Sequence, residues 1–144
     1  MSIIRREFLT LSGIGLTLPA LLQLAQAQAP QAAPKFNQLL RKDLDGQGQL
    51  VQETIVIGAD FGPGTVSPWH LHPGAQELLF VTDGSLILEV DGQGTRALNA
   101  GEGGIIAADV AHQVKNENTS ANGKALVVFS RSAKDKPLLV RVAR

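Results

Sequence analysis

The sequence predicts an all-β fold, specifically a small jelly-roll β-barrel. Short β-prone runs follow one another from residue 53 to residue 142, and turn residues separate them at nearly regular spacing. No ten-residue run between residues 58 and 104 has helical periodicity. About nine short strands in so short a segment are typical of a sandwich or barrel, and the jelly roll leaves few strand edges exposed.

The elements follow from these runs in order. An initial strand is expected around residues 39–44, and the barrel strands are expected at 53–59, 65–72, 77–82, 86–90, 95–98, 105–108, 112–117, 125–130 and 138–142. Three pairs are expected to form hairpins, because glycine accepts the positive φ of a tight turn. These pairs are Asp83-Gly84, Asp91-Gly92 and Asn122-Gly123.

Composition limits the chemistry. The 144 residues include no cysteine and three histidines, and 13 basic residues balance 13 acidic ones. This length suits one domain, and 44% apolar residues are enough for a core. The absence of clustered Lys and Arg argues against nucleic acid as a partner. Without cysteine there is no disulfide, thiolate ligand or thiol nucleophile, so a metal site must use histidine and carboxylate.

Residues 1–27 are expected to be an export signal of the twin-arginine type. R-R-E-F-L at residues 5–9 precedes a short apolar stretch and the small residues Ala25-Gln26-Ala27, although Ile4 stands where Ser or Thr is usual. A membrane anchor is the weaker alternative, because the apolar stretch is shorter than the ~20 residues that span a bilayer. Cleavage after Ala27 predicts a periplasmic protein, exported after folding, with no membrane anchor and a net charge of −1.

The rest of the chain is expected to divide into two parts. Residues 28–49 are rich in Pro, Ala and Gln at their start and are expected to form a linker and the initial strand. Residues 50–144 are expected to form the barrel.

Every histidine of the chain belongs to one candidate site. His70 and His72 are two apart on a predicted strand, so their side chains share a face. Pro73-Gly74 is placed to reverse the chain and bring Glu77 beside them, and His112 begins a later predicted strand. Three imidazoles and a carboxylate inside a barrel are a ligand set for a divalent transition metal. Solvated histidines near turns are the alternative that the residues alone leave open.

The spacing of these residues resembles the two signature motifs of the cupin superfamily. Gly64, His70, His72, Glu77 and Gly84 stand at the anchors of the first motif. The anchors of the second are Gly101, His112 and Asn116, with Ala107 where the family usually has Pro and Asp109 where it usually has Gly. Asp109 is interpreted as a turn residue, because Asp tolerates unusual φ values. The resemblance covers roughly residues 50 to 130.

The resemblance implies a cupin-like double-stranded β-helix in which His70, His72, Glu77 and His112 ligate the metal. Four protein ligands in octahedral coordination leave two positions for water, dioxygen or substrate oxygens. A metal-dependent dioxygenase-type enzyme or related lyase, acting on a small organic molecule, is therefore the first hypothesis. In it Glu77 is also the catalytic residue, doubling as a base.

Two other hypotheses stay open. They are a non-catalytic module that binds or senses a small ligand through the metal, and a scaffold that the metal only stabilises. Mn or Fe is favoured if the protein folds around its metal before export, although Ni, Cu and Zn also accept this ligand set. A homodimer formed by sheet packing is the family's habit. Arg96 and Arg131 are candidate carboxylate clamps, although solvated arginines at strand ends are commoner.

Overall fold

The computed structural model describes residues 32–43 and 50–144, and in this part of the chain ten β-strands form two five-stranded antiparallel sheets. The strands are β1 Lys35–Asp43, β2 Glu53–Phe61, β3 His70–Leu71, β4 Ala75–Asp83, β5 Ser85–Val90, β6 Gly94–Asn99, β7 Gly103–Ile106, β8 His112–Lys115, β9 Gly123–Arg131 and β10 Val140–Arg141. The first sheet has the order β1-β2-β9-β4-β7, and the second has the order β10-β3-β8-β5-β6. The all-β jelly-roll prediction is confirmed.

The core lies between the inner faces of the two sheets. Buried and exposed side chains alternate along β4 and β9, as expected when one face of each strand packs inward. The buried cluster includes Ile55, Leu79, Leu86 and Ile106, which come from both sheets. This alternation also turns Glu77 of β4 towards the interior.

The predicted strand at residues 65–72 is wrong over most of its length. The structure has only an isolated bridge at Val66, paired with Lys115, and the two-residue strand β3. Pro68 lies within this segment and has no N–H to donate to a sheet ladder, which explains the interruption. The initial strand β1, by contrast, begins earlier than predicted and pairs along β2.

Only one of the three predicted hairpins is a hairpin. Asp91-Gly92 joins the paired strands β5 and β6, and Gly92 has φ +70°. Asp83-Gly84 instead carries the chain from the first sheet to the second. Gly84 has φ +69°, and a Cβ there would lie 2.5 Å from Asn122 O, so the crossing requires glycine. Gly123 is the first residue of β9 rather than part of a tight turn.

The predicted export signal at residues 1–27 lies outside the described residues, as do residues 28–31 and 44–49 of the predicted linker segment. Within residues 32–43 and 50–144, no helix is long and apolar enough to cross a membrane.

Candidate metal centre

The four predicted ligand residues lie together between the two sheets. His70 on β3 and His112 on β8 are direct register partners, His72 follows β3, and Glu77 projects from β4 of the opposite sheet. All four side chains are buried, and His112 is fully inaccessible. Their candidate ligand atoms lie within 4.8 Å of one another. The alternative of solvated histidines is therefore excluded, although ligation itself stays a prediction.

A tight turn brings Glu77 to the histidines. Ala75 N donates to His72 O at 3.1 Å, with Pro73 second and Gly74 third in the turn. Gly74 has φ +63°, which is the pattern of a type II turn. Because side chains alternate along β4, starting the strand at Ala75 places Glu77 on its inner face.

Asp109 links the second motif to this turn. It is the one non-glycine residue with positive φ among the described residues, at +64°, which confirms its interpretation as a turn residue. Asp109 N donates to His72 O at 3.2 Å, and Asp109 Oδ1 accepts from Gly74 N at 3.2 Å. A glycine here would make only the first of these bonds, so the departure from the family pattern adds a contact between the two motifs.

The imidazoles of His70 and His112 are oriented by nearby backbone. His70 Nδ1 donates to Pro68 O at 2.7 Å, and His112 Nδ1 donates to Val110 O at 3.0 Å. In both cases the carbonyl belongs to the residue two positions earlier. Since a carbonyl can only accept, Nδ1 carries the proton and Nε2 is the atom turned to the site. This is the outer support that metal-binding histidines require.

His72 is oriented by a distant segment. Its Nδ1 donates to Leu138 O at 2.5 Å, across 66 residues of sequence. Its Nε2 is buried and lies 2.8 Å from Glu77 Oε2, but it lacks the alignment of a hydrogen bond. A buried ring nitrogen without a hydrogen bond, aimed at the cluster, is what a metal ligand looks like before a cation is bound.

Arg131 fixes the loop that leads to Leu138. Its guanidinium is buried, and Nη1 donates to Glu53 Oε2 at 2.7 Å. Nη2 donates to Ala133 O at 3.2 Å and also to Lys136 O. The interpretation of Arg131 as a solvated strand-end residue is therefore wrong. It is not a carboxylate clamp in the site either, because its fork is occupied by Glu53 and the loop carbonyls.

Arg96 is exposed and donates to Gly103 O at 2.7 Å on the neighbouring β7. Like Arg131, it does not line the cavity next to the candidate ligands.

Glu77 is ionised, and no Lys or Arg pairs with it among the described residues. Burial acts to raise the pKa of Glu77, but the hydrogen bond with His112 Nε2 at 3.0 Å and the neighbouring His72 outweigh it and lower the pKa to about 2. Burial also acts to lower the pKa of His112, but Glu77 outweighs it and raises the pKa. Burial lowers the pKa of His70 to about 4, which keeps its imidazole neutral.

This donor set fits a divalent metal. It combines ring nitrogens whose Nδ1 atoms are held by carbonyls with a buried carboxylate that has no Lys or Arg partner among the described residues. A buried anion is costly unless a cation is nearby. A metal ion at the centre of the cluster would supply that charge, and the nitrogen and oxygen donors suit Mn, Fe, Ni, Cu or Zn.

An apolar cavity of about 210 Å³ opens beside the cluster and contacts His70, His72 and Glu77. Besides these three residues, the polar residue in its wall is Ser67. The remaining walls are Phe36, Ile57, Phe61, Leu79, Val114, Val127, Phe129, Leu138 and Leu139. The cluster therefore faces a space for a small ligand, which is the usual setting of a cofactor or substrate site.

Residues 59–129 match the family model of the cupin domain. This match and the double-stranded β-helix fold support the cupin superfamily, as the two motifs predict. A comparison with curated proteins found no significant match.

Solved structures show the same fold. A conserved protein with a double-stranded β-helix domain from Klebsiella pneumoniae is 15% identical, covering 81% of this chain and 90% of its own, with TM-score 0.62. An oxalate oxidase is 25% identical over 80% of this chain and 57% of its own, with TM-score 0.61. DMSP lyase from Ruegeria pomeroyi is 18% identical over 76% and 52%, with TM-score 0.59. This chain thus spans little more than half the length of these two enzymes.

Proposed function

We propose that this chain is a divalent-metal-dependent dioxygenase-type enzyme that acts on a small organic substrate. The observation that carries the proposal is the buried cluster of His70, His72, Glu77 and His112 at the wall of an apolar cavity. Such a cavity admits a small molecule to the same place as the metal. The 25% identity to an oxalate oxidase supports an oxidative activity on this fold.

Each residue has a distinct role in this proposal. The three imidazoles supply Nε2 donors whose orientation is set by backbone carbonyls. Glu77 supplies the anionic donor and lowers the net charge of the centre. The bound metal would supply Lewis-acid and redox chemistry at open coordination positions. Glu77 as a base stays a prediction, and its pKa of about 2 makes it a weak base while His112 holds it.

The proposed metal is Mn or Fe, and the proposed location is the periplasm. Both rest on the R-R-E-F-L segment at residues 5–9, since twin-arginine export moves folded proteins. Cu and Zn bind nitrogen donors more tightly than Mn or Fe. If the protein folds around its metal before export, however, a weaker binder such as Mn or Fe is already in place before the protein meets Cu and Zn in the periplasm. Periplasmic fractionation of the full chain and of an R5K/R6K variant tests the location. Elemental analysis of the periplasmic protein tests the metal, and only Cu or Zn in it would contradict the proposal.

The activity is tested by oxygen uptake with a panel of diketones, flavonols, thiols and organic acids. We expect uptake by the metal-loaded protein and none by a His70→Ala/Glu77→Ala variant. Gln76→Ala is the matched control, because Gln76 adjoins Glu77 but is exposed on the other face of β4. Uptake that survives in the double variant would contradict a metallo-oxygenase.

A non-catalytic metal-dependent binding or sensing module is the second candidate. The walls of the cavity favour it, because they offer few groups that could act chemically on a bound molecule. Besides the candidate metal ligands, Ser67 is the polar residue of the wall. Tight ligand binding without turnover across the same panel would favour it.

We further propose a homodimer that packs through the outer face of the first sheet. Register pairing aligns five outward apolar residues, one from each strand, in a row across this sheet. The row is Leu40, Val56, Val128, Leu78 and Ile105. It has no charge and Ile105 is 62% exposed, so two copies can cover each other without burying an ion. Light scattering of Ile105→Lys should show a monomer if this face is the interface. A dimer that persists would contradict it.

A further inference from the structure

The cavity beside the candidate metal centre has no cationic wall. Within residues 32–43 and 50–144, neither Lys nor Arg lines it. The buried guanidinium of Arg131 is held by Glu53 and by loop carbonyls, so it is not available to a ligand. A charged group on a ligand that enters this cavity therefore has only the metal to neutralise it.

The apolar wall forms one continuous face beside the cluster. Phe61, Leu79, Val127 and Phe129 come from three adjacent strands of the first sheet, and Leu138 closes the side next to His72. Phe129 packs against the imidazole of His72, with ring centroids 4.5 Å apart. A ligand held at the metal by a polar end therefore extends against hydrocarbon.

We infer that the substrate has a single polar or monoanionic end that binds the metal and an apolar remainder that fills the cavity. This inference rests on the proposed function, because the polar end is held by the bound metal. A second carboxylate on that remainder would be buried against apolar walls without a counter-ion, and that burial is strongly unfavourable. The cavity is also smaller than the ~300–1,000 Å³ of typical drug-sized sites, which limits the remainder to about one ring.

Binding of three probes to Zn²⁺-loaded protein tests the inference by calorimetry, with no turnover needed, since Zn²⁺ is redox-inert. Acetohydroxamate and benzohydroxamate share one metal-binding end and differ in apolar size, and 4-carboxybenzohydroxamate has the same end but adds a carboxylate to the ring. We expect benzohydroxamate to bind at least ~10-fold more tightly than acetohydroxamate, because each buried methylene favours binding several-fold. 4-Carboxybenzohydroxamate should bind at least ~10-fold more weakly than benzohydroxamate.

Val127→Thr and Val128→Thr form a matched pair. Val127 is buried at the cavity wall, while its neighbour Val128 lies on the outer face of β9. Val127→Thr should reduce the ratio of the benzohydroxamate affinity to the acetohydroxamate affinity by about 3-fold or more, and Val128→Thr should leave it unchanged. The ratio is internal to each variant, so partial unfolding does not change it.

The outcomes separate the two proposals. Equal affinity for acetohydroxamate and benzohydroxamate, or tightest binding of 4-carboxybenzohydroxamate, would overturn the inferred substrate class while leaving the metal site intact. Failure to take up any metal would overturn the proposed function and the inference with it.

Discussion

Two buried glutamates on the same sheet are neutralised in different ways. Glu53 on β2 and Glu77 on β4 are each 4% exposed, face inward and are separated by β9. Glu53 has a permanent cation, since Arg131 Nη1 lies 2.7 Å from its carboxylate. Among the described residues, the partners of the Glu77 carboxylate are imidazoles, His72 at 2.8 Å and His112 at 3.0 Å.

This difference separates a structural ion pair from a site that accepts an exchangeable cation. The charge of Glu53 is balanced inside the chain at all times. The charge of Glu77 is balanced by a proton on His112, whose pKa is raised, or by a metal that takes the proton's place. The same substitution at the two positions should therefore have opposite consequences.

The largest effect is expected from Glu53→Gln. It leaves the guanidinium of Arg131 buried without its counter-ion and should lower the free energy of unfolding by about 3 kcal/mol. Urea unfolding of the metal-free protein measures it, and metal affinity should be retained. A loss below about 1 kcal/mol would mean that water or the loop carbonyls already balance Arg131.

Glu77→Gln should act on metal binding instead. Removing a residue that hydrogen-bonds to a metal ligand typically lowers metal affinity by ~10–100-fold. Loss of the anionic ligand itself should therefore lower it by more than ~100-fold. The metal-free protein should keep its unfolding free energy within about 1 kcal/mol, because glutamine keeps the volume and the buried carboxylate charge is lost together with the proton on His112 that balances it. Calorimetric titration with Mn²⁺ and urea unfolding measure the two quantities. Equal destabilisation by both Gln variants would contradict the different roles of the two glutamates.

Metal should stabilise the wild-type protein by an amount that grows with the logarithm of the metal concentration. At 100 times the dissociation constant the expected gain is about 2.7 kcal/mol, because the metal binds only the folded state. Thermal melting with Mn²⁺ and with a chelator measures the gain. Glu53→Gln should show the same increment as wild type, and Glu77→Gln should show none.

Acid should weaken metal binding through His112 first. Burial acts to lower the pKa of His112, but Glu77 outweighs it and raises the pKa above 6.5, so a metal must displace a proton there as the pH falls. His70, at about 4, and Glu77, at about 2, take up protons only at lower pH. Affinity should therefore fall by about tenfold per pH unit below the pKa of His112 and level off above it. Calorimetry between pH 8 and pH 5.5 measures the slope, and a flat profile would contradict the proton on His112.

The sequence predicts well which four residues come together in the cluster, because the spacing of the two motifs contains all of them. A turn whose Pro and Gly are visible in the sequence separates His70 and His72 from Glu77. His112 is the first residue of a strand in both prediction and structure. The groups that orient the imidazoles cannot be recognised in the sequence in this way. Leu138 acts on His72 through a backbone carbonyl, which any residue possesses. Only the fold brings that carbonyl to His72.

Long-range pairing explains the other differences between prediction and structure. Glu53 and Arg131 are 78 residues apart, and nothing local indicates that they are register partners on β2 and β9. Asp83-Gly84 and Asp91-Gly92 look alike in sequence, yet one crosses between sheets and the other closes a hairpin. Turn chemistry specifies that the chain bends, whereas packing decides which sheet receives the next strand.

The smallest predicted effect concerns Asp109, which lies outside both glutamate sites but supports the turn before Glu77. Asp109→Ala and Asp109→Gly both remove the Oδ1 acceptor of Gly74 N, so their difference isolates the backbone conformation at φ +64°. The alanine variant should be less stable than the glycine variant by about 1 kcal/mol, because only glycine adopts this conformation freely. Thermal and urea unfolding measure the difference. Equal stabilities would mean that residue 109 leaves the left-handed region when its side chain no longer bonds to Gly74.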